Sequence, residues 1–421
     1  ILFRLVGSEM CIRDRFHFKL NTQSQPPRWV QEQVFYQIFP DRFKASQDEQ
    51  SIRNAYAQYD PEILVKPWGE AVGSHQNTGA REFFGGDLKG VEQKLDYLDE
   101  LGVTALYFNP IFTAPSNHKY DTTDYFTIDP MFGSNELFAD LCERIHGKQM
   151  KVVLDAVFNH TSVEHPWFDI KQEGLGAYGN PNSDFRDYYF FEGETNNYIG
   201  WKGIASLPVL NFENEQVRDY IYQSEEAVIK YWLKPPYSVD GWRFDVIHML
   251  GEGDGAKNNA HYVEAFRQAT KSTNPNAYVL GEHFFEATQW LQGGQEDGAM
   301  NYYGFAHPVR AFVAKKDIAY DPIMIGGLDF KEWLDEARAK IPWHNQLSQL
   351  NQLDSHDTAR FLSLIKGDNK RMELALIMLM TYVGVPCVYY GSEVGLEGGL
   401  DPDNRRCFPW EEVAKSKWLP I

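Results

Sequence analysis

Short apolar runs, rich in β-branched and aromatic residues, recur along the chain and alternate with stretches of helical spacing. The runs cover 33–40 (QVFYQIFP), 103–110 (VTALYFNP), 151–160 (KVVLDAVFNH), 239–248 (VDGWRFDVIH), 277–284 (AYVLGEHF), 299–305 (AMNYYGF), 349–357 (QLNQLDSHD) and 384–393 (GVPCVYYGSE). Runs of this length, with helical patterns between them, predict βα units and a parallel sheet. Eight of them is the number a closed barrel needs. The chain therefore reads as an α/β protein, a (β/α)8 TIM barrel. Residues 90–102 and 135–149 carry helical spacing, the second behind a cap at Ser134 and Asn135.

One connection is long. Residues 161–210, after the third strand, are rich in Gly, Asn, Pro and aromatics. They predict a small irregular excursion domain over the barrel mouth, between strand 3 and helix 3, because long loops in compact domains are commonly functional. Residues 44–80 read as a second polar loop. The expected layout is a leader or cloning remnant at 1–20 and the first part of the barrel at 21–160. The excursion follows at 161–210, and the remainder of the barrel at 211–421, its last helix incomplete.

The chain carries 40 Lys and Arg against 59 Asp and Glu, a net charge of −19. So acidic a surface repels phosphate backbones and anionic lipids, which excludes nucleic-acid and membrane-surface roles and suits a neutral substrate. Aromatics make up 15% of the chain, enough to fill a large core and still offer rings that stack on sugar faces. Cys11, Cys142, Cys387 and Cys407 show no CxxC or zinc spacing. They read as free thiols, and with no secretion signal they predict a cytoplasmic protein. No apolar run is long enough to span a bilayer.

Active sites of such barrels lie at the C-terminal ends of the strands. There the third strand delivers Asp155, Asn159 and His160, the fourth Arg243, Asp245 and His248, the fifth Glu282 and His283, and the seventh His356 and Asp357. Glycoside cleavage passes through an oxocarbenium-like transition state. It needs a carboxylate on one face of the sugar and a protonated acid beside the departing oxygen. Retaining enzymes hold the two carboxyls about 5–5.5 Å apart, close to the spacing of about 4.8 Å between neighbouring strands. Asp245 and Glu282 fit that demand. Arg243, two residues before Asp245 and on the same strand face, is expected to keep Asp245 ionised as nucleophile. Glu282, farther from that cation, is expected to hold the proton. Asp357 is a third carboxylate, His160 and His356 can bond sugar hydroxyls, and Asp155 is expected to orient Arg243.

These residues lie in DAVFNH (155–160), GWRFDVIH (241–248), GEHF (281–284) and LDSHD (353–357). The four motifs, in this order and on strands three, four, five and seven, resemble the α-amylase superfamily. The resemblance covers residues 33–410. It implies Asp245 as nucleophile, Glu282 as acid/base and Asp357 as the carboxylate that distorts the sugar. It implies Tyr120, His160, Arg243, His248 and His356 as substrate-binding residues, with Asp155 and Asn159 as structural support. Stretches such as SNHKYDTTDY (116–125) and SLPVLNFEN (206–214) narrow the resemblance to the neopullulanase and cyclomaltodextrinase group. Within it the maltodextrin glucosidase pattern predicts glucose release from maltodextrins. The alternative is cyclomaltodextrinase or neopullulanase action with transfer to sugar acceptors. No cofactor and no metal is expected, since the calcium dependence of many α-amylases is commonly absent from this group. The partners expected are maltodextrin oligosaccharides, with oligomeric state left open. Amylase-like scaffold subunits of transporters lose catalytic carboxylates, and all three are present here.

Overall fold

The computed structural model describes residues 25–74, 78–253, 255–416 and 419. The leader expected at 1–20, and with it Cys11, lies outside the described residues. Eight strands form the sheet: β1 (Phe35–Ile38), β2 (Ala105–Phe108), β3 (Lys151–Ala156), β4 (Gly241–Phe244), β5 (Tyr278–Gly281), β6 (Gly298–Ala299), β7 (Leu350–Gln352) and β8 (Val385–Tyr389). Each pairs in parallel with its sequence neighbour from β1 through β6, β7 pairs with β8, and β8 returns to β1. Between β6 and β7 a parallel bridge joins Met300 to Leu350. There the Asn301 N–H donates to the Leu350 carbonyl at 2.8 Å, closing the cylinder.

Both faces of these strands are covered, so they appear in the chain as continuous apolar runs rather than alternating ones. Alternation survives in where the side chains go. Phe35, Ala105, Tyr107, Val153, Tyr278, Leu280, Met300, Leu350 and Val385 fill the barrel interior. Tyr36, Leu106, Phe108, Val152, Leu154, Trp242, Phe244 and Val279 pack outward in the larger core. At the bottom, Gly241 lies against Tyr278, where a Cβ would come within 2.6 Å of the Tyr278 carbonyl.

Several elements differ from the sequence reading. The sixth run is a two-residue strand followed at once by a helical turn, Tyr302–Ala306, because the Asn301 side chain accepts the Gly304 N–H at 3.1 Å and starts the turn. The seventh run has ladder pairing only over Leu350–Gln352. The helix expected over 90–102 is two short ones, Leu88–Glu92 and Leu95–Glu100. Residues 44–80 are not merely a polar loop. They hold the helix Glu49–Tyr56, capped by Asp48 on the Ser51 N–H and anchored by buried Ile52 and Tyr56. The helix Asn135–Gly147 forms as read, with Ser134 accepting the Leu137 N–H.

Residues 161–210 contain two short 3-10 turns and isolated antiparallel bridges, Tyr189–Leu210, Phe191–Tyr198 and Gly200–Pro208. Stacked and edge-on rings of Phe168, Tyr189, Phe191 and Tyr198 give the segment its own packing. Among the described residues no helix is long and apolar enough to cross a membrane.

Trp242 is fully buried between barrel and helices, its indole donating to the Ile229 carbonyl at 3.2 Å. Trp242→Ala is expected to cost about 3–5 kcal/mol through the cavity it leaves. A clear fall in the denaturant midpoint checks this, and an unchanged midpoint contradicts the packing described.

Candidate active site

The strand pattern decides which groups reach the barrel mouth. In β3 the inward positions are Val153 and Asp155, and in β4 they are Gly241 and Arg243. Asp155 and Arg243 are register partners. Phe244 and Gly281 are also partners, so Asp245 and Glu282 are the next residues on adjacent strands, where the backbones lie about 4.8 Å apart. The ladder continues past the assigned ends: the Asp245 N–H donates to Ala156 at 3.0 Å, and the Glu282 N–H donates to Phe244 at 3.2 Å.

The guanidinium of Arg243 is fully buried and gathers three carboxyls. Its Nη1 lies 2.8 Å from Asp155 Oδ1 and 2.6 Å from Asp245 Oδ1, and its Nη2 lies 3.4 Å from Glu282 Oε2. The other oxygen of Asp155 accepts the hydroxyls of Tyr107 and Tyr120, each at 2.8 Å. Glu282 Oε2 accepts the Val246 N–H at 2.7 Å.

A second network runs beside it. Gln37 donates to His356 Nδ1 at 2.8 Å and to Asn109 Oδ1 at 3.0 Å, and Asn109 donates to the Tyr120 hydroxyl at 3.1 Å. Because Nδ1 of His356 accepts, its proton sits on Nε2. That nitrogen faces the Tyr120 hydroxyl at 2.6 Å and Asp357 Oδ2 at 3.0 Å. The Tyr120 and His356 rings stack 5.4 Å apart, 7° from parallel. Behind Asp357, Arg405 Nη2 stands at 3.7 Å from Oδ1, and its Nε donates to the His356 carbonyl.

His160 is buried, with Nδ1 3.3 Å from the Asn159 amide and its ring 5.6 Å from Trp201 of the excursion segment. His248 stands at the rim, Nδ1 3.2 Å from the Glu282 carbonyl oxygen, against the half-exposed ring of Phe285. His283 turns away from the mouth and pairs with Glu296 at 2.8 Å. The structure thus gathers Tyr120, Asp155, Arg243, Asp245, Glu282, His356 and Asp357 in one network with His248 at its rim, whereas His160 and Asn159 meet each other beside Trp201 and His283 is directed to Glu296.

The family model for the alpha amylase catalytic domain matches residues 37–420. The chain belongs to the alpha-amylase family. It is 37% identical over 405 residues to a cyclomaltodextrinase of Bacillus sp, covering 94% of this chain and 65% of that protein. It is 38% identical over 401 residues to neopullulanase 2 of Thermoactinomyces vulgaris, covering 93% and 61%. The chain therefore spans under two thirds of the length of either relative. Among solved structures, the ligand-free cyclic alpha-maltosyl-(1→6)-maltose hydrolase of Arthrobacter globiformis matches with a TM-score of 0.79 at 33% identity, over 94% of this chain and 82% of that one.

The electrostatics of this alpha-amylase-family site qualify the sequence reading of Asp245. Burial pushes its carboxyl above the ordinary range; Arg243 pulls it down, while Glu282 and Asp155 push it up. Arg243 alone therefore does not decide that Asp245 is ionised. Burial raises Asp155 as well, against Arg243 and the two tyrosine hydroxyls. Asp357 is pushed up to about 7, first by burial and then by Glu282. Burial and mutual repulsion thus raise Asp155, Asp245 and Asp357 together against the pull of Arg243, with Arg405 at the edge acting on Asp357. Burial depresses His356 well below its ordinary value and His160 to about 4, so both imidazoles are neutral.

Tyr107, Gln37, Asn109, Trp201 and Arg405 were not singled out from the sequence. Gln37 and Asn109 left a signal, as amides inside or beside runs that are otherwise apolar. Tyr107 looked like one more core aromatic.

Asp357 titrates near 7 in the folded chain and near 3.8 in its absence, so the folded state holds a proton that the unfolded state has lost. That difference destabilises the native state progressively as pH rises from about 4 to 7. Asp357→Asn removes the cost. The variant is expected to raise Tm over the parent more at pH 8 than at pH 5; an equal or smaller gain at pH 8 contradicts the assignment.

Proposed function

We propose that this chain carries the catalytic site of a retaining hydrolase of α-1,4-glucosidic bonds in maltodextrins, of the cyclomaltodextrinase and neopullulanase type. Asp245 attacks the anomeric carbon while Glu282 gives its proton to the departing oxygen. Glu282 then takes a proton from water, or from a sugar hydroxyl when the glycosyl group is transferred, and the acceptor releases Asp245. Asp357 faces the developing positive charge. Tyr120 offers its ring to the attacked glucose, and His160, His248 and His356 bond hydroxyls. Arg243 binds the site together, Asp155 orients it, and Asn159 supports His160.

The observation that carries this reading is the contact of one buried guanidinium with Asp155, Asp245 and Glu282 at adjacent strand ends. Two carboxyls so held suit the short separation of the retaining mechanism rather than the wider gap that admits a water. The names of the relatives, a cyclomaltodextrinase and a neopullulanase, favour this type over the glucose-releasing maltodextrin glucosidase expected from the motifs.

Asp245→Asn is expected to lower kcat on maltoheptaose by about a thousandfold or more while circular dichroism stays that of the parent. Near-parental turnover removes Asp245 from its role. The substrate type is tested by product analysis. Opening of β-cyclodextrin at least as fast as maltoheptaose is cut supports the present reading. Glucose appearing first from maltoheptaose, with the ring left intact, contradicts it.

A further inference from the structure

Immediately after Asp245 the chain does something costly. Val246 has φ 37° and ψ 37°, in the left-handed region. A β-branched side chain rarely adopts that conformation, because its Cβ substituents crowd the neighbouring peptide groups. Such outliers persist only where the surroundings hold them, and they concentrate at functional sites. Val246 is buried, its carbonyl accepts the Met249 N–H at 2.8 Å, and its own N–H donates to Glu282 Oε2 at 2.7 Å.

The direction of that N–H follows from the ladder. Successive N–H groups of a parallel strand point to alternate neighbours. The Asp245 N–H goes to Ala156 on the β3 side, so that of Val246 points toward β5. Where another ladder bond to a carbonyl would form, the turn brings the N–H onto the Glu282 side chain. The Glu282 carbonyl is left to His248 Nδ1. Oε2 therefore faces two donors, the Val246 N–H and Arg243 Nη2. An oxygen that accepts from one N–H and faces a guanidinium is the wrong place for the carboxyl's proton.

We infer that the strained Val246 backbone is a positioning device for Glu282: its N–H pins Oε2, fixes the carboxyl rotamer, and assigns the transferable proton to Oε1. This rests on the reading of Glu282 as acid/base. In the first half-reaction the Oε1–H bond breaks and the proton passes to the glycosidic oxygen. That oxygen keeps the electron pair of its bond to the anomeric carbon, and the carbon bonds to an Asp245 oxygen. The other titratable or charged groups around Glu282 are Asp155 on β3, Arg243 and Asp245 at the end of β4, His248 on the following turn, Tyr302 after β6 and Asp357 after β7. Against that background the Val246 N–H is a neutral donor whose position is set by the backbone rather than by a side-chain rotamer.

The test changes one atom. Replacing Val246 by its α-hydroxy analogue turns the N–H into an ester oxygen and keeps the side chain. The alkaline limb of kcat/KM reports the acid in the free enzyme. Losing a donor to a charged acceptor is expected to move that limb up by about one pH unit, and freeing the carboxyl rotamer is expected to lower kcat about tenfold or more. Val246→Gly, which keeps the N–H and relieves the left-handed conformation, is expected to leave the limb in place. An ester variant with the parent's limb and kcat overturns the proposal, and so does a Val246→Gly limb displaced as far as that of the ester. Glu282→Gln is assayed separately: parental turnover there sinks the acid/base reading itself, an outcome distinct from either of these.

Discussion

A guanidinium buried in the mouth of the barrel is the constraint around which the rest of the site is arranged. Arg243 is fully enclosed, and removing such a charge from water is expensive unless anions and hydrogen bonds replace the solvent. Asp155 and Asp245 supply two close contacts, and Glu282 a third at longer range. Strand register makes this possible, because Asp155 faces Arg243 directly and Asp245 and Glu282 follow the next register pair. Here adjacent barrel strands bring the carboxyls to the same height, so one guanidinium reaches all three. The surplus of carboxyls over cations, together with burial, raises Asp155, Asp245 and Asp357 above the ordinary carboxyl range.

The second network extends the same logic across the barrel mouth. Gln37 and Asn109 sit on and beside the first two strands, and their amides fix one tautomer of His356 and one orientation of the Tyr120 hydroxyl. Tyr120 then bridges the two networks through Asp155. Its loop is itself anchored by buried Lys119, whose ammonium meets Asp129 at 2.7 Å and the Ala114 carbonyl at 2.8 Å. Neutral imidazoles, aligned hydroxyls and an aromatic face suit an uncharged polyhydroxy ligand, in keeping with a chain of net charge −19.

Much of this was legible in the chain because burial on both faces writes parallel strands as apolar runs, and the groups at their ends stand out against them. Asp155, Arg243, Asp245, Glu282 and Asp357 were visible for that reason. The sixth and seventh strands were overread, since Asn301 starts a helical turn inside what looks like an extended aromatic run. The helix Glu49–Tyr56 was missed because only Ile52 and Tyr56 are buried in a polar stretch. Arg405 lies far along the chain from Asp357 and meets it only through the closed fold. Val246 left no trace at all: nothing in a valine announces a left-handed backbone.

The proposal that Asp245, held by Arg243, attacks the anomeric carbon while Glu282 serves the departing oxygen is tested most directly by trapping the covalent intermediate. A 5-fluoro-α-glucosyl fluoride slows release of the glycosyl group more than its capture, and peptide mass spectrometry then locates the label. The account predicts a 5-fluoroglucosyl ester on the peptide that carries Asp245, and on Asp245 within it. Label on Glu282 or Asp357, or turnover with inversion at the anomeric carbon and no label, would contradict it.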